Sequence, residues 1–171
     1  MKTYYLTLSV AFPVTHARAG KPTEFRQSFA NAQMCAKCQS EPKGMCMGEC
    51  IVGRKKVHTI RGNFPLWEKR FEEIERGEAC LAVKQWTGRP YRSTMVEIAR
   101  LTREDGIGLQ QLRFTVDADN SRVAIIDGVC LPSLRVLADN DGLSFDDWNE
   151  WFRGSQCSQP MAIIHFTKFR Y

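Results

Sequence analysis

GRKKVHTIRGNFPLWEKRFEEIERGEACLAVKQW, residues 53–86, changes its hydrophobic period twice. Residues 57–60 are short and β-prone, so the cations ahead of them are expected where a loop feeds a strand, displayed from irregular backbone. Leu66, Trp67, Phe71 and Ile74 then recur at helical spacing, and Gly77 closes the run as a C-cap. ACLAVKQW, residues 79–86, reads as a strand. Strand, helix and strand in close succession set the class as α+β.

The flanks extend this pattern. Leu6, Leu8, Val10 and Phe12 alternate with Thr7, Ser9 and Ala11, which predicts a half-buried strand rather than the uniformly apolar core of a secretory signal. Gly20-Lys21-Pro22 breaks structure, and Thr23 is placed to cap a helix over residues 24–32. The turn TGRPY joins residues 79–86 to a second strand in RSTMVEIARL, and QLRFT and RVAIID flank the polar loop DADNS. Residues 134–138 and 145–152 read as helices separated by Asn140-Asp141-Gly142, and MAIIHFTKF ends the chain as a strand. About six strands with helices at their edges predict a small, partly closed β-barrel in one domain spanning residues 1–171. No stretch approaches the roughly 18 apolar residues that span a membrane, so a soluble, cytoplasmic chain is expected.

Charge is distributed unevenly. Residues 43–103 hold thirteen Lys/Arg against seven Asp/Glu, and residues 104–171 hold six against ten. That asymmetry points to an anionic partner more than the net charge of +5 does.

Four of the seven cysteines, Cys35, Cys38, Cys46 and Cys50, fall within an insert at about residues 33–52. The order is C-x-x-C, a seven-residue spacer, then C-x-x-x-C. Four thiolates complete a tetrahedral zinc shell, and metal binding would supply folding energy to a segment with little apolar content. Structural zinc is the expectation; an iron–sulfur cluster, free thiols and disulfides are the alternatives, the last disfavoured by an odd cysteine count. Cys80, Cys130 and Cys157 read as ordinary buried cysteines.

Lys56, Thr59 and Arg61 form K-x-x-T-x-R, and ADNDGLSFDDWNEWF, residues 138–152, precedes the last strand. With the helix and strand over residues 66–88, these segments resemble the ASCH domain family, a branch of the PUA-like β-barrels associated with RNA. The resemblance covers roughly residues 51–171. Small ASCH proteins include amidohydrolases that deacetylate acetylcytidine with a lysine, a threonine and a glutamate. By position the resemblance assigns these catalytic roles to Lys56, Thr59 and Asp141. Asp141 stands where that family has the longer glutamate, and one extra residue separates Gly53 from Lys56.

The leading functional expectation is binding of RNA or a nucleotide-like ligand by the basic loop, with Arg54, Lys55, Arg61, Tyr91 and Arg92 as binding residues. Amide hydrolysis of an acylated nucleoside is the alternative, and a protein-docking module built on the cysteine insert is a third. Catalysis would need Lys56 deprotonated, and Arg54, Lys55 and Arg61 are expected to lower its pKa by charge repulsion. Trp86 is expected to plug the barrel, with Tyr91 and Arg92 at the surface. His58 is expected to pack on the strand face opposite Thr59. Trp148, Trp151 and Phe152 read as core with Phe145, and Glu72, Glu73 and Glu75 as a solvated helix face.

Overall fold

The computed structural model describes residues 1–35, 53–155 and 159–171. Among these are eight strands in two sheets and four α-helices. In chain order they are β1 (Lys2–Leu8), α1 (Phe25–Met34), β2 (His58–Arg61), α2 (Phe64–Glu75), β3 (Ala79–Trp86), β4 (Met95–Leu101), β5 (Gly108–Val116), β6 (Arg122–Ile126), β7 (Val129–Cys130), α3 (Leu134–Asn140), α4 (Phe145–Trp151) and β8 (Met161–His165). The class is α+β, as the period changes predict. No helix among the described residues is long and apolar enough to cross a membrane.

One sheet has the order β1-β3-β4, with β1 parallel to β3 and β4 antiparallel to it. The other runs β2-β8-β5-β6-β7, antiparallel throughout. Helix α2 packs against β3, β5 and β8, and so joins both sheets. It starts where Asn63 caps Leu66 N–H at 3.3 Å with Pro65 in the first turn, and stops at Gly77, whose φ of +77° suits glycine. Trp67, Phe71 and Ile74 are buried, whereas Leu66 lies outside the covered stripe at 41% exposure.

β1 and β2 are edge strands of different sheets, and Arg61 links them. Its Nη2 donates to the Thr7 carbonyl at 2.7 Å. An unpaired edge carbonyl thus finds a charged donor instead of water.

Several local expectations give way. Glu24, in left-handed backbone at φ 58°, occupies the N-cap of α1, while the Thr23 hydroxyl donates to Ser9 O at 2.6 Å and still accepts from the first helical N–H, that of Phe25, at 3.4 Å. Trp86 is half-buried at the end of β3, beyond the cover of α2, with its ring 5.3 Å from that of Tyr91. Cys80 is buried, but Cys130 is exposed on the two-residue β7; Cys157 lies outside the described residues. Trp148 and Phe152 are core residues, and Phe145 and Trp151 pack against that core half-buried.

The two faces of α2 differ measurably. Phe71→Ala is expected to cost about 3–5 kcal/mol in urea unfolding, and Leu66→Ala to stay within about 0.5 kcal/mol of wild type.

Candidate functional site

Two backbone hydrogen bonds fix the residues ahead of β2. Lys56 N–H donates to Ser28 O in α1, and Val57 N–H to Asn140 O at the end of α3, both at 2.8 Å. The chain is therefore clamped between two helices, and its side chains turn inward. Lys55 is 9% exposed and Lys56 1%, which corrects the expectation of a displayed basic loop. Arg54 alone of the three is exposed.

Lys56 Nζ donates to the Asp141 carboxylate and, at 2.7 Å, to the Asp141 carbonyl. It also lies 3.8 Å from the centroid of the Phe25 ring, a cation–π contact. Asp141 is the C-cap of α3 and is 3% exposed. Gly142 follows at φ +79°, and a Cβ there would lie 3.1 Å from Lys56 Cβ and 3.3 Å from Lys55 O. Both the backbone conformation and the contact distance call for glycine.

Thr59 and Arg61 share one face of β2. Arg61 Nη1 donates to Thr59 Oγ1 and to Ile60 O, each at 2.9 Å. Arg61 also interacts electrostatically with both Asp141 and Lys56. Lysine, aspartate, arginine and threonine are thus gathered in the interior, although Lys56 and Asp141 are 85 residues apart. Lys56 makes its hydrogen bonds to Asp141, and Thr59 receives its bond from Arg61.

The electrostatics follow from burial. Loss of hydration is the largest influence on Lys56, whose pKa is pushed down to about 8; Asp141 opposes the shift and Arg61 adds to it. Repulsion from Arg54 and Lys55, expected from the sequence, is not the cause. Burial likewise raises the Asp141 carboxyl, against the pull of Lys56 and Arg61. The buried Trp148 indole N–H forms no hydrogen bond of normal geometry, yet lies close enough to help hold that carboxyl down. The two shifts act together: each favours moving the shared proton from lysine to aspartate.

His58 points away from this cluster, as strand alternation predicts. Its Nε2 and the Tyr171 hydroxyl are 2.7 Å apart, and its ring lies 5.6 Å from that of His165. Burial drives both imidazoles well below the ordinary histidine value, so they are neutral.

A cavity of about 350 Å³ lies over the outer side of α1, lined among others by Phe12, Arg18, Gln27, Ser28, Arg54 and Leu143. Arg18 is paired with Asp147 at 2.7 Å. Lys56, Thr59 and Asp141 do not line this cavity, but Ser28 and Leu143 adjoin the Gly142 contact. Tyr91 and Arg92 are exposed in the β3–β4 turn. Sequence reasoning missed Phe25, Trp148 and the Ser28 carbonyl, since no motif marks an aromatic neighbour or a backbone acceptor.

Of the four insert cysteines, Cys38, Cys46 and Cys50 lie outside the described residues. Cys35 is half-buried, with Sγ 3.8 Å from Lys55 Nζ. Among the described residues no group of three or more His, Cys, Asp or Glu side chains could hold a metal ion.

Asp141→Asn removes the countercharge of a buried lysine and is expected to destabilise the fold by about 3–5 kcal/mol. A pKa depressed in the folded state removes stability below the ordinary lysine value of 10.5, so the deficit narrows as pH climbs towards it. The double variant Lys56→Met/Asp141→Leu is expected to recover most of the loss in urea unfolding. Comparison with family models, curated proteins and solved structures returned no match.

Proposed function

We propose that the chain is a PUA-like protein of the ASCH type whose Lys56–Asp141–Arg61–Thr59 cluster receives an N-acylated nucleoside and hydrolyses its amide. One observation supports this most: an interior lysine with pKa about 8 donates to a carboxylate, with a threonine-bound arginine close enough to lower that pKa further. The approach of edge strands β1 and β2 through Arg61 supports the partly closed barrel that the family resemblance implies.

Movement of the shared proton onto Asp141 leaves Lys56 as a neutral amine. That amine takes the Thr59 hydroxyl proton, and Oγ1 attacks the amide carbon. Arg61, already bonded to Oγ1, stabilises the oxyanion that forms beside it. Asp141 gives its proton to the departing base amine, and water then cleaves the acyl-threonine to release the carboxylic acid. Buried cations fit a small, enclosed ligand better than an extended RNA backbone, which needs them at the surface.

A second reading, capture of the same nucleoside without turnover, draws support from a specific contact. Lys56 Nζ is committed to Asp141 and does not bond Thr59 directly. The cysteine insert adds a structural zinc to the proposal, held by Cys35, Cys38, Cys46 and Cys50; elemental analysis of purified protein should find one equivalent.

Acetylcytidine hydrolysis, followed by chromatography, tests the reading. Thr59→Val keeps the strand-compatible shape without the hydroxyl, and is expected to abolish turnover while equilibrium dialysis still detects the nucleoside. Retained binding with no turnover in wild type as well would leave the second reading standing. The pair holds one proton, which Asp141 must pass to the departing amine, and it loses that proton to solvent around the Lys56 value, so kcat/KM should be level below about pH 8 and fall above it. A profile still rising from about pH 8 to about pH 9 would remove the lysine–aspartate pair as the proton carrier.

A further inference from the structure

The open face of the three-stranded sheet carries aromatic rings and unpaired cations on neighbouring strands. Strand register sets its membership: Tyr5 lies beside Ala82, Thr7 beside Lys84, Lys84 beside Glu97 and Trp86 beside Met95. These side chains point away from α2, since the alternate residues Leu6, Leu81 and Val83 are buried in the core. Tyr5 is 57% exposed and Tyr91 91%. Lys84 Nζ lies 4.1 Å from the Tyr5 ring centroid, and Trp86 supports Tyr91 from below.

Tyr91 itself has φ +62°, left-handed backbone that costs a bulky residue about 1–3 kcal/mol. Its ring nevertheless stands almost wholly in solvent. Arg89 and Arg92 flank it, both exposed. No ion pair engages Lys84, Arg89 or Arg92 among the described residues. Among the described residues of β1, β3 and β4, Glu97 is the one carboxylate, and Arg100 neutralises it at 2.9 Å.

We infer that this face is a binding platform for single-stranded nucleic acid, with Tyr5 and Tyr91 stacking on bases and Lys84, Arg89 and Arg92 taking the phosphates. The chemistry favours single strands because flat rings need unstacked bases, which a duplex hides. An acidic peptide would satisfy the cations but leave the tyrosines idle. The platform is independent of hydrolysis at Lys56. It is nevertheless continuous with that site's edge, because Thr7, paired with Lys84, is also the residue whose carbonyl receives Arg61.

Fluorescence anisotropy with labelled U12, dT12 and a 12-base-pair duplex tests this on the full chain. Both single strands should bind, and tighter binding of U12 than dT12 would identify RNA as the preferred source. With three phosphates neutralised, log K should fall against log salt with a slope of about −2. Tyr91→Ala and the double variant Lys84→Ala/Arg92→Ala should each weaken binding at least about fivefold, at unchanged melting temperature. No binding at low salt, equal affinity for the duplex or for polyglutamate, or wild-type affinity in Tyr91→Ala and Tyr5→Ala would each overturn the inference.

Discussion

An ammonium group with almost no contact with water needs a partner, and Asp141 is the one that Lys56 has. Taking either charge into the interior alone costs several kcal/mol. The pair therefore constrains everything that positions it: the segment ahead of β2, the turn between α3 and α4, and α1, whose Ser28 carbonyl holds the Lys56 backbone. The Asp141 carbonyl, at the negative end of α3, adds a second acceptor beyond the carboxylate. Three pieces of chain far apart in sequence are thereby brought to one point beside an edge strand.

The same constraint divides β2 into two chemical faces. On one, Thr59 and Arg61 look towards the ion pair and the open edge of β1. On the other, His58 meets His165 and Tyr171 in a packed aromatic group. Positive charge on the first face helps keep His58 uncharged on the second, since Lys56 repels a proton there. A four-residue strand thus separates an ionised environment from a neutral one.

Much of the architecture was legible because it rests on periodicity. The α2 stripe and the strand over residues 79–86 follow from residues close in sequence, whereas the alternation read over residues 6–12 overlaps β1 only at Leu6–Leu8, the strand ending before Val10. What failed depended on distant chain. Leu66 belongs to the helical stripe by spacing, yet the two sheets cover a narrower band of α2. Trp86 looks like core by composition, but β3 carries it past the helix that would have covered it. Lys55 and Lys56 read as surface cations until Ser28 and Asn140 supply the acceptors that pull them in. At the candidate site, Lys56, Thr59, Arg61 and Asp141 were all named from the motif and the resemblance, whereas the cause of the lysine shift was not. Repulsion can be counted from sequence; dehydration depends on packing.

The Asp141-Gly142 turn has a covalent consequence. Aspartyl-glycine peptides are prone to close a succinimide ring, in which the glycine nitrogen attacks the carboxyl and an isoaspartyl linkage follows. Here Gly142 N–H is engaged by Asp139 O at 3.1 Å, and the carboxylate is held by Lys56, so the native turn keeps the reacting atoms occupied. Unfolded copies have no such protection. Chains that linger before folding, or that open on ageing, would acquire a displaced carboxylate at the one position where the buried lysine requires it, and that damage would persist after refolding.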